Sequence, residues 1–249
     1  QDYIFKLEGV SYITFDGINV ANAGSNTNIE FGYWLANSSM GNGSSNNIIK
    51  NCTITLNRSN NSTIGVFSEA TTAANNNNLY QNVTINSSYQ GIQLTGRTSS
   101  PDSNSNIEGC IFNSIAENNM LVEYQSWVNI FDNVVNYPTS EPCASTIYGI
   151  DSYELSNANV YNNTFSGGNV TRTIYNILFN VPAQIEAHHN TISGTVTTNP
   201  WWIGVYVNCP SWGVINIHHN DLHDITTGMI WQGIYTMRAY DININDNHI

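Results

Sequence analysis

Two six-residue segments, AHHNTI at 187–192 and IHHNDL at 217–222, share one order of apolar, polar and turn-forming positions. The same order occurs in nine segments spread along the chain, at intervals of 23 to 34 residues. They are FDGINV (15–20), IKNCTI (49–54), YQNVTI (80–85), IEGCIF (107–112), IFDNVV (130–135), VYNNTF (160–165), AHHNTI (187–192), IHHNDL (217–222) and INDNHI (244–249). A repeat of this length predicts a solenoid in which each copy belongs to one coil.

Each column of the repeated segment predicts a position in the coil. The first and sixth columns are apolar in every copy and are expected to face the core, whereas the second is mostly polar and is expected to face outward. The third column contains only Gly, Asn, Asp and His, which adopt positive φ most readily, so it predicts a sharp turn between two strands. In the later copies the fourth column predicts an internal ladder of Asn side chains that hydrogen-bond from coil to coil. The ladder residues are Asn133, Asn163, Asn190, Asn220 and Asn247.

A further strand precedes each segment and often contains Gly followed by an apolar residue, as in IGVF (64–67) and IGVYV (203–207). Three short strands per repeat predict an all-β, three-sided solenoid of about nine coils with parallel strands, spanning residues 1–249 as a single domain. Both ends of the sequence enter the strand pattern without a capping segment. We therefore expect an excerpt of a longer protein, whose uncapped coil ends contact neighbouring domains or subunits.

These repeats resemble the pectin-lyase-like superfamily of right-handed parallel β-helices. The resemblance rests on Gly-Ile-x-x strands such as GIQL (91–94), on segments such as IKNCTI (49–54), and on the Asn ladder, and it covers essentially the whole chain. It implies a right-handed parallel β-helix. It does not imply one activity, because the superfamily includes lyases, hydrolases, phage tailspikes and adhesins. In its carbohydrate-active members the substrate lies across the outer face of one parallel sheet.

The composition excludes several kinds of partner. The chain has 6 Lys and Arg against 18 Asp and Glu, which gives a formal net charge of −12. Cations that would neutralise phosphates are scarce and no apolar run is long enough to span a bilayer, so we expect no nucleic-acid partner and no membrane insertion. The 41 Asn residues, the low Lys content and the many Asn-x-Ser/Thr sites are typical of secreted or cell-surface proteins, and we expect an extracellular location.

The four cysteines show no spacing typical of metal ligands. Cys52 and Cys110 share the inward fourth column but lie two coils apart, too far for a disulfide bond. We expect them to be small core side chains. Cys143 and Cys209 lie in different loops of the predicted solenoid and are also expected to be free thiols.

Alternation along the Gly-apolar strands predicts an outward row of side chains on one sheet. The row comprises Trp34, Phe67, Gln93, Glu123, Asp151, Leu178, Tyr206 and Tyr235. Aromatic rings can stack on sugar rings and carboxylates can bind hydroxyl groups, so this row is the candidate glycan-binding surface. Alternatively, the aromatic side chains only stabilise the sheet by stacking on one another. Glu123 and Asp151 are the candidate catalytic pair for glycoside hydrolysis, and the alternative is that they are inert surface charges.

A second candidate site lies in the outward column that contains His188 and His218. With Glu186, which precedes His188 by two residues, these imidazoles form a candidate zinc or copper site. Histidines on a solenoid surface also occur without any ligand. The sequence requires no cofactor, although Ca²⁺ or a transition metal is compatible with these acidic and imidazole positions.

The preferred functional prediction is an extracellular solenoid segment that acts as a rigid structural or adhesive rod, with a polysaccharide or a cell-surface glycan bound along its aromatic face. The alternative is a polysaccharide lyase or glycoside hydrolase with a groove on the parallel sheet. A lyase needs cations to neutralise a uronate, and the three candidates Arg97, Arg172 and Arg238 are scattered over different coils. A trimeric rod similar to a tailspike is a further alternative. The sequence favours the non-catalytic interpretation over the enzyme alternative.

Overall fold

The computed structural model of the chain describes residues 2–22, 28–139, 146–168, 172–196, 201–210, 212–227 and 230–249. Within these ranges the regular structure consists of β-strands and no helix is present. No helix there could therefore supply the long apolar segment that crosses a bilayer. The all-β prediction is confirmed for the described part of the chain.

Three parallel sheets run along the molecule, and each of the first eight coils contributes one strand to each sheet. The first sheet contains Tyr3–Glu8, Phe31–Ala36, Ile64–Glu69, Gln90–Thr95, Asn118–Glu123, Thr146–Tyr153, Thr173–Asn180, Trp201–Asn208 and Ile230–Met237. The second sheet contains Thr14–Asp16, Ile48–Lys50, Leu79–Gln81, Asn106–Glu108, Asn129–Phe131, Ala158–Tyr161, Gln184–His188, Val214–His218 and Asp241–Asn245. The third sheet contains Val20–Ala21, Thr53–Thr55, Thr84–Asn86, Ile111–Asn113, Val134–Tyr137, Thr164–Gly167, Thr191–Val196 and Asp221–Thr227. Two short strands, Asp102–Ser103 and Gln125–Ser126, form a separate parallel pair.

The described strands make eight complete coils and part of a ninth. The first and second sheets have nine strands each, whereas the third has eight. In the last coil a single bridge between Asp221 and His248 replaces a third-sheet strand. The prediction of about nine coils was therefore slightly too high for complete coils, because the ninth repeat segment forms a strand only in its first half.

The turn predicted for the third column is confirmed in every copy. All nine residues have a positive φ, between 50° and 72°. They are Gly17, Asn51, Asn82, Gly109, Asp132, Asn162, His189, His219 and Asp246. This left-handed backbone turns the chain from the second sheet into the third.

The core fills the space between the three sheets. The first-column and sixth-column side chains of the middle coils are fully buried, as at Ile107 and Phe112. Glycines of the first sheet face the larger of these side chains, so that a Cβ on Gly149 would lie 2.6 Å from the ring of Phe165. At the last coil the columns are open to solvent, since Ile244 is 47% exposed. The predicted core is therefore continuous in the middle and exposed at this end.

The Asn ladder is present inside the solenoid. The side-chain amide nitrogens of four successive Asn residues donate to Oδ1 of the next Asn at 2.9 to 3.0 Å. Each of these amides also donates to a backbone carbonyl of the preceding coil, and each Oδ1 also accepts a backbone N–H. The amides are thereby satisfied without water, which explains how they remain buried. The members are Asn133, Asn163, Asn190, Asn220 and Asn247.

The cysteines in the described ranges follow the prediction. Cys52, Cys110 and Cys209 are buried thiols. Burial raises the pKa of the Cys52 thiol to about 11 and that of the Cys110 thiol to about 12, so both thiols remain protonated in the core. Cys143 lies outside the described residues.

Candidate functional site

Strand register places most of the predicted outward row on one line across the first sheet. Asp151 pairs with Leu178, and Tyr206 pairs with both Leu178 and Tyr235. Toward the other end the line continues through Leu121 to Gln93, Phe67 and Trp34.

Glu123 does not belong to this row, and the sequence-based placement is corrected. Gln93 and Asp151 both pair with Leu121, whereas Glu123 pairs with Thr95 and Tyr153 in the row two residues further along the strand. The error arose because residues 120–122 are all apolar, so that alternation alone did not reveal which of them points outward. Glu123 still shares the outer face with Asp151, at a diagonal position on the neighbouring strand.

Trp34 and Phe67 lie on the outer face but are covered. Each is 8% exposed, and with Phe31, Ala36 and Ile64 they form a small apolar cluster separate from the main core. The Lys6 ammonium lies 4.2 Å from the centre of the Trp34 ring. These two aromatic side chains therefore stabilise the outer face at this end and offer little ring surface to a ligand.

A continuous track of four tyrosines crosses the later coils of the first sheet. Tyr148 stacks on Tyr175 with ring centres 5.4 Å apart, and Tyr175 meets the edge of Tyr206 at 5.8 Å. Tyr206 in turn contacts Tyr235 at 5.3 Å. We call Tyr148, Tyr175, Tyr206 and Tyr235 the tyrosine track. All four retain some exposure to solvent, so ring faces and hydroxyl groups are accessible along it.

Only half of the tyrosine track was predicted from the sequence. Tyr206 and Tyr235 belong to the predicted row, whereas Tyr148 and Tyr175 lie in a different outward row, immediately before the inward Gly149 and Asn176. The signal was present as the repeated triplet Thr-Ile-Tyr at 146–148 and 173–175.

The tyrosine track ends beside an acidic group formed by Glu117, Glu123 and Asp151. Gln90 Nε2 donates to Glu117 Oε2 at 3.3 Å, and Thr95 Oγ1 donates to Glu123 Oε2 at 3.2 Å. The neighbouring coil thus supplies a hydrogen-bond donor to each glutamate. Glu117, the first residue of this group, was not predicted from the sequence.

Asp151 has the perturbed carboxyl of the acidic group. Its pKa is raised from 3.8 to about 6, mainly by burial and further by the negative charges of Glu123 and Glu117. Asp151 is partly buried because the residues that pair with it on the two flanking strands are Leu121 and Leu178. Near neutral pH part of the Asp151 population is protonated and can donate a proton or a hydrogen bond, as a general acid does.

The acidic group and the tyrosine track form one surface. The pKa of the Tyr148 hydroxyl is raised by burial and then by the charges of Asp151, Tyr175 and Glu117. The Asp151 carboxylate is therefore close enough to Tyr148, the first ring of the track, to raise its pKa. This surface presents ring faces and hydrogen-bonding groups side by side, which is the combination that sugars require.

The candidate metal residues lie on the outer face of the second sheet. His188 and His218 stack in parallel with ring centres 5.1 Å apart, continuing a stack that includes Phe131 and Tyr161. An ion bonds imidazole nitrogen at about 2.0 to 2.1 Å, so it cannot reach equivalent nitrogens of two parallel rings at this separation. Glu186 Oε2 lies 3.4 Å from His218 Nε2. Among the described residues, no group of three or more His, Cys, Asp or Glu side chains is arranged to hold a metal ion.

Comparison with known proteins gives little further information. No protein-family model and no curated protein matches the chain. A similar solved structure is that of the GH136 lacto-N-biosidase from Eubacterium ramulus, as its selenomethionine derivative, with 10% sequence identity and a TM-score of 0.30. The match covers 82% of this chain and 51% of the other, so the chain spans about half the length of that enzyme. At this TM-score the likeness carries no functional argument, and the pectin-lyase-like relationship stays a prediction. The chain is a parallel β-solenoid.

Proposed function

We propose that this chain is an extracellular, rod-shaped glycan-binding solenoid, whose binding surface is the tyrosine track together with the acidic group. The supporting observation is that four tyrosines on consecutive coils lead without a gap to Glu117, Glu123 and Asp151. With strands about 4.8 Å apart, the four rings cover about 15 Å, a length suited to several sugar units of one chain.

The charge of this surface favours neutral or amino sugars. Carboxylates occupy the end of the track, and the whole chain carries a net charge of −12. A uronate-rich polysaccharide would be repelled there, whereas the hydroxyl groups of a neutral glycan can donate hydrogen bonds to the carboxylates. A lyase acting on uronates is accordingly not supported.

Direct titration with glycans tests the proposal. We expect neutral or amino-sugar oligosaccharides to bind by isothermal titration calorimetry, and Tyr175→Ala, in the middle of the track, to weaken binding at least tenfold. Tyr240→Ala is the matched control, because Tyr240 is 62% exposed and stacks on Trp212 away from the track. Equal weakening by both variants, or an undiminished affinity in Tyr175→Ala, would contradict the proposed surface.

Glycoside hydrolysis is the second candidate function, and the raised pKa of Asp151 is the observation that favours it. In this scheme Asp151 donates a proton to the leaving oxygen and Glu123 serves as the second carboxylate. Release of reducing ends from a glycan panel measures the activity. Asp151→Asn and Glu123→Gln should each abolish hydrolysis while glycan binding persists. Binding without any turnover by the unaltered chain leaves the rod function and excludes the enzyme on that panel.

A further inference from the structure

Two adjacent histidines at a coil corner turn their rings toward each other, and the arrangement occurs twice. Nδ1 of His188 lies 2.8 Å from Nδ1 of His189, and Nδ1 of His218 lies 2.8 Å from Nδ1 of His219. The rings within each pair are nearly perpendicular, at 85° and 84°. We call these the first and second His pairs.

The backbone of the solenoid creates this convergence. In each pair the first histidine is the last residue of a second-sheet strand, and the second occupies the positive-φ turn, with φ of 54° in both cases. The sharp turn reverses the usual divergence of adjacent strand side chains. Coil stacking then repeats the geometry, with His188 over His218 and His189 over His219, both at 5.1 Å.

The spacing of the two nitrogens selects a class of metal ion. If each nitrogen bonds an ion at about 2.05 Å, a nitrogen separation of 2.8 Å gives an angle of about 86° at the ion. That angle is close to the 90° between neighbouring ligands in tetragonal complexes. Tetrahedral zinc would instead need nitrogens about 3.3 Å apart at the same bond length. The separation therefore favours Cu²⁺ or Ni²⁺, and Cu²⁺ binds such ligands more tightly.

We propose that each His pair chelates one tetragonal divalent ion, Cu²⁺ by preference, so that the chain holds two such sites one coil apart. Water completes the coordination. In the metal-free chain the same nitrogens are positioned to share a proton in an N–H···N hydrogen bond. When the ion binds, this proton moves to Nε2 of the same ring, so that both ligands are neutral imidazoles.

Nearby carboxylates determine which of the two sites binds an ion more tightly. In the second His pair, Glu186 Oε2 lies 3.4 Å from His218 Nε2 and Asp246 Oδ2 lies 4.0 Å from His219 Nε2. Carboxylates near the outer ring nitrogens increase the basicity of the ligands and attract the cation, so this pair binds first. The second ion binds more weakly, because it is repelled by the first.

Titration of the whole chain with Cu²⁺ at pH 7.5, with glycine as a competing chelator, tests the sites. We expect two ions per chain, bound in two steps, with an electron paramagnetic resonance spectrum that shows two nitrogen ligands per ion. His219→Asn keeps a residue that tolerates the turn and should leave one tight site, and His189→Asn/His219→Asn should leave none.

His223→Asn is the matched control. His223 is a partly exposed imidazole that contacts Asp224 and belongs to neither pair, so its removal should change neither stoichiometry nor spectrum. Thermal unfolding of each variant without metal verifies that the fold is retained. The proposal fails if the unaltered chain binds no more Cu²⁺ than His189→Asn/His219→Asn, or if its spectrum shows a single nitrogen ligand. Tighter binding of Zn²⁺ than of Cu²⁺ would overturn the assigned geometry.

Discussion

Asn163 is joined to Asn190, one coil further along, by two hydrogen bonds to a single oxygen. Its backbone N–H and its Nδ2 donate to Asn190 Oδ1 at 3.1 and 3.0 Å. The second Nδ2 hydrogen is donated to the carbonyl of Ile130, at 2.9 Å, on the preceding side. One buried amide thus connects three coils, and its removal leaves polar groups without partners on both sides.

We expect Asn163→Leu to lower the free energy of unfolding by about 3 kcal/mol, because buried donors and acceptors then lose their hydrogen bonds. Chemical denaturation followed by circular dichroism measures the change. Asn159→Ala is the matched control in the same coil, since Asn159 belongs to an exposed ladder in which its Nδ2 donates to Asn129 Oδ1 at 2.9 Å. Its cost should stay below about 1 kcal/mol. Equal costs for the two variants would show that the internal ladder has no special importance.

Asp102 should make the stability of the fold depend on pH. The side chain is 1% exposed, and burial raises its pKa from 3.8 to about 7, although the backbone N–H of Asn75 donates to Oδ1 at 2.8 Å. Because the Asp102 carboxyl binds its proton more tightly in the folded state than in the unfolded state, the contribution of Asp102 to stability is greatest below pH 4. It decreases as the pH rises from about 4 to 7.

Asp102→Asn should therefore be more stable than the unaltered chain by about 4 kcal/mol at pH 8 and nearly equal to it at pH 4. Urea unfolding at both pH values gives the difference. A constant difference between the two proteins across this range would show that Asp102 titrates normally.

The pKa of Asp151 should respond to Glu123. Glu123→Gln removes a neighbouring negative charge, so we expect the pKa of Asp151 to fall below about 6 while burial still keeps it above 3.8. A carboxyl-carbon NMR titration reports it. Glu69→Gln is the control, because Glu69 occupies the same row of the sheet two coils away from Glu123. If both variants leave the pKa of Asp151 unchanged, charge proximity has no part in the shift.

Gly149 should not tolerate a side chain. A Cβ there would lie 2.6 Å from two ring carbons of Phe165 and would also collide with the carbonyl oxygen of Asn176. We expect Gly149→Ala to destabilise the fold by about 2 to 4 kcal/mol, since the obstacles are a buried ring and the backbone of the next coil. Gly17→Ala is the control. Gly17 has a φ of +72°, but apart from its chain neighbours no atom of the described residues lies within 4 Å of the added Cβ, so the variant should cost about 1 kcal/mol. Thermal melting ranks the variants, and the opposite order would contradict the packing argument.

The sequence predicted those features that recur in every coil. The turn at the third column could be identified because Gly, Asn, Asp and His occupy it in all nine copies, and each has a positive φ. The ladder could be identified because five Asn residues share one apolar-flanked column. In both cases the restricted choice of residues in one column indicates one backbone or hydrogen-bonding requirement.

The candidate site was less predictable, because it depends on features that alternation does not contain. Residues 120–122 are apolar on both faces, so Leu121 and Glu123 could not be placed in the correct rows. Trp34 points outward as predicted. Alternation along a strand predicts which face a side chain lies on but not whether neighbouring side chains cover it, and the Trp34 ring is buried. The His-His dipeptides were visible, yet the convergence of their Nδ1 atoms follows from the turn geometry.

The pairing of every main strand with its equivalents in the adjacent coils determines how the number of repeats in the solenoid can change. Each coil pairs with its neighbours through the same columns. Duplicating or deleting one whole repeat therefore keeps the strands of adjacent coils in register, whereas inserting or deleting part of a repeat shifts the columns out of register. The length of the solenoid is therefore adjustable in whole coils, and a longer tyrosine track could arise by copying a repeat that already carries one ring.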